Sequence, residues 1–249
     1  MIFLKVALIA GVGSFGVSQA SAAMLDYQGS WTGSYSKVGY KVVDPNQTRN
    51  NNQSAGAFRM VQTTSGSLGH GIPDTFAAFC LDLAGTIKDG DFAVNNTNPF
   101  QTARVLSDGI KQRVNDFVDA TYSDDVISTQ QESAAYQLAL WEVAYEKEDI
   151  TVDLDPIQGN NFENYNTADS ILSLAKGYLT AYLDALDDGT ITDRYKVNFL
   201  DADGNTDTLD NQDLITMTVV PLPAAGLLLF GALGALGVAA RRRGDATKA

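Results

Sequence analysis

From Thr129 to Glu146 the chain contains neither Gly nor Pro, and its apolar residues, from Ala134 and Ala135 through Leu138, Leu140 and Trp141 to Val143 and Tyr145, fall on every side of a helical wheel. A helix that is apolar all round has no face to give to water, so other elements must enclose it. The segment is therefore the predicted centre of the fold, and the rest of the chain has to supply its cover. Ser128 and Gln131 give it a capping-box start.

The cover is predicted to be strands before the helix and a mixture after it. Trp31 to Val43 and Ala57 to Thr63 alternate apolar with polar residues, and Thr75 to Leu83 is a nearly continuous apolar run suited to a buried strand. Pro45 to Ser54 reads as a polar loop with no core-forming residue, and Ser65 to Pro73 as a second loop. Helical spacing returns from Thr102 to Ala120, weakened by Gly109, and from Ala168 to Leu186 with one broad apolar face. Asp149 to Pro156 and Gln158 to Asn166 read as acidic and Asn-rich loops. Two closing strands, Tyr195 to Leu200 and Leu214 to Val220, flank a turn at Asp203-Gly204-Asn205. Strands, then helices, then strands predict an α+β domain.

Composition excludes several functions. The 249 residues carry 17 Lys+Arg against 30 Asp+Glu, a net charge of -13, which lacks the basic surplus a nucleic-acid binder needs. One Cys and one His leave no intrachain disulfide and no Cys- or His-rich metal centre. No cofactor and no metal are expected.

The two ends read as addresses. Residues 1–23 have a Lys5 n-region, an apolar stretch from Val6 to Val17 and a small-x-small site at Ala20-Ser21-Ala22-Ala23, which predicts a secretory signal peptide cut after Ala22 or Ala23. At the other end an uncharged apolar stretch, Ala224 to Ala240, is followed by Arg241, Arg242 and Arg243, which predicts a short membrane segment with its basic end in the cytoplasm. Val220, Pro221, Leu222, Pro223 and Ala224, the Gly/Ala/Leu segment and the arginine cluster, in that order, resemble the VPLPA-CTERM sorting signal, a variant of the PEP-CTERM signals of Gram-negative bacteria. The resemblance implies recognition of residues 219–249 by an exosortase-type processing enzyme, removal of the tail and display at the cell surface or in the extracellular matrix. A plain single-pass anchor is the other reading of the same residues. With the ends go Lys5, Arg241, Arg242, Arg243, Lys248 and Asp245, so residues 24 to 220 keep 12 basic and 29 acidic groups, a net of -17.

Two residues do not suit their surroundings. Gln137 sits in the apolar helix on the face of Ala134 and Trp141, where burial of an unpartnered amide costs roughly 2 kcal/mol or more. Cys80 is a lone thiol in Phe76-Ala77-Ala78-Phe79-Cys80-Leu81-Asp82-Leu83 of an exported protein, where oxidation threatens it. One chemistry answers both. Attack of Cys80 on the Gln137 side-chain carbonyl, with loss of ammonia, forms an internal thioester, a stored electrophile that an amine or hydroxyl can open once. The plainer alternative is that Cys80 is a small core residue and Gln137 bonds a neighbouring backbone.

Phe79-Cys80-Leu81-Asp82, followed by Gln137-Leu138-Ala139-Leu140-Trp141, resembles the thioester domain of bacterial surface adhesins over residues 57 to 146. The resemblance implies Cys80 and Gln137 as bond partners, Trp141 as a packing residue, and a β-sandwich or barrel with a helical subdomain of about three helices; Asp82, in the strand motif, and Tyr136, which stands before the glutamine where many family members have Thr, are expected as supporting positions. It implies a non-enzymatic adhesin coupled covalently to an amine- or hydroxyl-bearing surface partner, without naming that partner.

Two weaker signals remain. His70, between two glycines, could serve as a base near Cys80, but no orienting acid or oxyanion motif completes a cysteine hydrolase. Asp201 to Asp207, continuing to Asp210 and Asp213, invites a calcium reading, yet its Gly is the fourth residue and no Glu closes a twelve-residue loop. A calcium-stabilised, non-covalent matrix protein is the alternative to the adhesin.

Overall fold

The structure is a computed structural model that describes residues 23–44, 47–63, 68, 71–81, 83, 87, 91–95, 106–146, 154, 162–164, 166–202 and 212–220. Nine strands are described: β1 (Ala23–Ser30), β2 (Ser36–Asp44), β3 (Gln47–Ala55), β4 (Phe58–Gln62), β5 (Thr75–Cys80), β6 (Asp91–Asn95), β7 (Phe162–Asn164), β8 (Tyr195–Ala202) and β9 (Leu214–Val219). Three helices, α1 (Asp108–Thr121), α2 (Gln130–Tyr145) and α3 (Asp169–Asp187), and a short 3-10 turn at Asp124–Ile127 complete the described elements.

Six strands close a barrel in the order β1-β4-β5-β9-β8-β6, and a second sheet has the order β3-β2-β7. The expected α+β class with strands and three helices is therefore the observed one, and the strands that could have formed a sandwich form a barrel. One buried cluster runs from the barrel, at Leu25, Met60, Ala78, Leu200 and Ile215, into the helices at Val114, Phe117, Leu138, Leu140 and Leu179. Helix α2 lies at its centre: every residue from Ser133 to Tyr145 is buried.

Several boundaries differ from the sequence expectation, each for a physical reason. The polar stretch 45–54 does not stay a loop, since Gln47 to Ala55 pairs residue for residue with Asp44 to Ser36. A ladder of backbone bonds to an apolar neighbour sets strand structure there without any core-forming side chain. The run Trp31 to Val43 is interrupted, because Gly33 takes φ 82° in a turn and β2 begins only at Ser36. β1 and β6, to which the sequence expectation assigned no strand, pair with each other, and β7 interrupts the predicted loop 158–166 by pairing with β2. Helix α1 starts at Asp108, with the Ser107 hydroxyl accepting from the Ile110 N–H; the predicted start at residues 102–105 lies outside the described residues. The cap of α2 is one residue later than expected: Thr129, not Ser128, accepts from the N–H of Glu132, not Gln131.

The helical layer is tied to the barrel at the end of α1. Asp119 is 3% exposed, and its carboxylate accepts from the N–H of Thr192 at 2.7 Å, the N–H of Tyr195 at 3.1 Å, the Thr192 hydroxyl at 3.2 Å and the Arg194 N–H. These bonds shape the turn into β8, in which Asp193 has φ 54°. Burial acts to raise the Asp119 carboxyl, but the N–H groups of Thr192, Tyr195 and Arg194 outweigh it and hold the group below its ordinary value. A depressed folded-state pKa gives stability that is fully present above the unfolded value of about 3.9 and is lost as pH falls through the folded value. Asp119→Asn is therefore expected to destabilise the protein at pH 7 by about 1–3 kcal/mol, by leaving buried N–H groups without an acceptor. Urea unfolding at pH 7 and pH 3 checks this, and the variant's loss of stability between the two should be the smaller.

Candidate functional site

Pairing between β4 and β5 runs from Val61↔Thr75 to Phe58↔Ala78 and stops two residues short of Cys80. On the other side β5 continues against β9, with Phe79↔Ile215 and Cys80↔Leu214, and the Leu81 N–H donates to the Asp213 carbonyl at 2.9 Å. Bonded and non-bonded pairs alternate in an antiparallel ladder, so that bond makes Cys80↔Leu214 the non-bonded kind. The N–H and C=O of Cys80 thus point away from β9, to the side that β4 has vacated.

The chain leaves that side at Gly56, whose φ of 138° turns it out of β3 and into β4. A Cβ there would lie 3.3 Å from the Ser133 hydroxyl, so Gly56 also admits α2 close to the backbone.

Helix α2 fills the vacated side. The Gln137 side-chain oxygen accepts from the Cys80 N–H at 2.9 Å, and its nitrogen donates to the Cys80 carbonyl at 2.6 Å. The carboxamide has the donor and acceptor of a peptide unit and pairs with Cys80 as a neighbouring strand would. One turn later the Trp141 indole N–H also donates to the Cys80 carbonyl, at 3.0 Å. One turn earlier the Ser133 hydroxyl accepts from the Ala57 N–H at 2.6 Å, and one turn beyond Trp141 the Tyr145 hydroxyl accepts from the Leu83 N–H at 2.9 Å. Ser133, Gln137, Trp141 and Tyr145 are four apart and lie on one helical face. They form a polar seam in a helix whose other buried residues, Glu142 apart, are apolar, each member bonded to a strand end or its continuation.

The setting is dry. Cys80 is 2% exposed and Gln137 1% exposed, and Cys80 is in no disulfide. Tyr136, next to Gln137 on the helix, stacks among Phe79, Phe117, Tyr122 and Tyr178 with ring centroids 5.0 to 6.0 Å away. Burial pushes its phenol well above the ordinary value, with Thr121 opposing the shift. Tyr136 is accordingly a core residue that backs the strand carrying Cys80. Tyr40 packs on Trp141 at 5.5 Å and steadies the indole.

The structure thus brings Cys80, Gln137, Trp141 and Tyr136 together. Asp82 and His70 lie outside the described residues, as do Pro221 to Arg243 of the sorting signal, residues 1–22 of the signal peptide and most of the Asp-rich segment, 203–211. Val220 is described, its N–H donating to the Arg194 carbonyl at 2.8 Å. Asp213, counted from sequence in the calcium run, is buried and joined to β5 through its backbone. Among the described residues no group of three or more His, Cys, Asp or Glu could hold a metal ion, and no helix is long and apolar enough to cross a membrane. The predicted membrane segment 224–240 is outside that search. Ser133 and Tyr145 were missed as site residues. The signal for them was present, as polar tips at four-residue spacing in a helix with no solvent face.

No family model matches the chain, and no curated protein matches it by sequence. Among solved structures, the N-terminal domain of the Streptococcus pyogenes pilus tip adhesin Cpa is similar at 15% identity and a TM-score of 0.42, over 78% of this chain and 99% of that one.

Chemically, the arrangement holds an amide carbonyl against the backbone of the only cysteine, with a hydrogen-bond donor on the carbonyl oxygen. The seam predicts that Ser133→Ala, which leaves the buried Ala57 N–H without its acceptor, costs about 1–3 kcal/mol in urea unfolding.

Proposed function

We propose that Cys80 and Gln137 form an intramolecular thioester and that the protein is an exported, non-enzymatic surface or matrix protein that uses it once for covalent attachment. The observation that carries the reading is the two-point bond between the Gln137 carboxamide and the Cys80 backbone. It fixes the amide beside the residue whose thiol would attack it, in a site closed to water, which favours reaction by proximity and orientation.

The step balances without a co-reactant. The Cys80 sulfur bonds to the Gln137 side-chain carbon, the C–N bond breaks, and the thiol proton leaves with the amide nitrogen as ammonia. The Cys80 N–H, already on the Gln137 oxygen at 2.9 Å, is placed to stabilise the negative charge that develops there. An incoming amine or hydroxyl then attacks the same carbon, forms an amide or ester to Gln137 and returns the proton to Cys80. The protein is consumed in the process, which separates it from an enzyme.

The same two bonds also favour the plainer reading, in which Gln137 remains an amide and joins α2 to β5 while Cys80 is a core residue. Intact mass distinguishes them. The thioester form is lighter than the sequence mass by one ammonia, and methylamine converts it to a Gln137 adduct while exposing one titratable thiol. Cys80→Ala and Gln137→Ala abolish both changes. A full-mass protein that methylamine leaves unaltered after denaturation would overturn the thioester and leave the hydrogen-bonded pair as a structural joint.

Export by the two end signals belongs to the same proposal, with an exosortase-type enzyme as processing partner and the membrane as a temporary one. The described strands run from Ala23 to Val219, so a first cut after Ala22 takes no residue from them, and of the tail 219–249 only Val219, the last residue of β9, belongs to a strand. Terminal sequencing of the secreted protein is expected to find an N-terminus at Ala23 or Met24 and to lack the arginines 241–243. Persistence of the arginines in the mature protein would sink the sorting reading.

A further inference from the structure

We infer that Trp141 is a positioning residue for the thioester, whose indole N–H keeps the Cys80 carbonyl bonded after the Gln137 nitrogen has left. The inference rests on the thioester reading and follows from counting the hydrogen bonds of the site before and after that reaction. Before it, among the described residues, the Cys80 carbonyl accepts two side-chain donors, Gln137 Nε2 at 2.6 Å and Trp141 Nε1 at 3.0 Å. The Cys80 N–H has the Gln137 oxygen.

Loss of ammonia treats the two bonds unequally. The acyl oxygen is retained in the thioester and remains an acceptor for the Cys80 N–H. Nε2 departs as ammonia, and with it one of the two donors on the Cys80 carbonyl. Trp141 is 2% exposed and wedged against Tyr40, so its N–H cannot turn to solvent and stays on that oxygen. The reaction thereby ends in a state where both backbone groups of Cys80 still have a partner on α2. The same bond holds β5 against the helix while the reacting atoms exchange.

The roles of Gln137 and Trp141 explain their spacing. Four residues separate two groups that must reach one carbonyl from one helical face. A merely space-filling aromatic would not need its N–H.

The test compares Trp141→Phe in two proteins, the thioester-bearing chain and a Cys80→Ser chain that keeps the Gln137 amide. In Cys80→Ser the amide nitrogen still donates to the carbonyl of residue 80, so loss of the indole N–H changes the unfolding equilibrium constant little beyond its packing effect. In the thioester chain the same substitution is expected to change it about tenfold more. The mass deficit should also be lost faster to hydrolysis in Trp141→Phe than in the parent. Equal cost in the two backgrounds, with hydrolysis unchanged, would overturn the inference and leave the thioester intact.

Should Trp141→Phe fail to fold, NMR of the unsubstituted tryptophans gives the same answer. The chain has only two, Trp31 and Trp141, so two indole N–H signals are expected. That of Trp141 should exchange with solvent more slowly in the thioester chain than in Cys80→Ser, relative to Trp31; identical protection would contradict the proposal. A full-mass parent protein removes both this inference and the thioester, an outcome that the mass spectrum separates from failure of the Trp141 role alone.

Discussion

The structure depends on how the end of β5 is satisfied. β4 stops pairing at Phe58↔Ala78, and the next stretch of β5 carries backbone groups that face the core. A buried peptide group without a partner costs more than most single contacts give back, so the fold requires something in that position. Helix α2 supplies it through Ser133, Gln137, Trp141 and Tyr145, whose bonds reach Ala57, Cys80 and Leu83. A helix thus takes the place of a strand along one edge of a closed barrel.

That substitution accounts for the composition of α2. Apolar side chains on the remaining faces give it its place in the centre of the cluster, against Phe79, Phe117 and Tyr182 and their neighbours. The polar seam fixes its rotation and its height along the axis. Slippage by one residue would carry Gln137 away from Cys80 and bury an amide among apolar groups, so register is enforced by the cost of failure as well as by the bonds themselves. Short polar ties hold the start of the helix in the same way. The Gln130 amide accepts from the Ser34 hydroxyl at 2.8 Å and donates to the Tyr35 carbonyl at 2.6 Å, and the Tyr178 hydroxyl of α3 donates to Glu132 at 2.6 Å.

The proposed chemistry grows from the structural requirement. An amide side chain matches the donor and acceptor of a peptide unit, and the residue it pairs with here is the only cysteine in the chain. The same arrangement sets the Gln137 carboxamide beside the residue that the proposed chemistry uses as nucleophile. The net charge of -17 over residues 24 to 220 includes the buried Asp119, Glu142, Glu146 and Asp213, and its exposed carboxylates bear on solubility.

Much of this was legible in the sequence. An apolar helix with neither Gly nor Pro had to be central, and the misfit of Gln137 and Cys80 with their surroundings marked the pair, because burial of a lone amide is costly and a lone thiol in a chain read as exported is open to oxidation. What periodicity could not reach was anything decided between strands. The segment Gln47 to Ala55 has no core-forming pattern, and only its ladder with β2 makes it a strand. The apolar run from Thr75 to Leu83 gave no sign that β5 ends at Cys80, since the end is set by where β4 leaves and β9 continues. By itself the sequence determined which helix is buried and which two residues are out of place, Gln137 in that helix and Cys80 in a strand. That Gln137 meets the backbone of Cys80, with Trp141 on the same carbonyl, was decided by tertiary structure alone, because it depends on where β4 stops pairing with β5 and β9 continues.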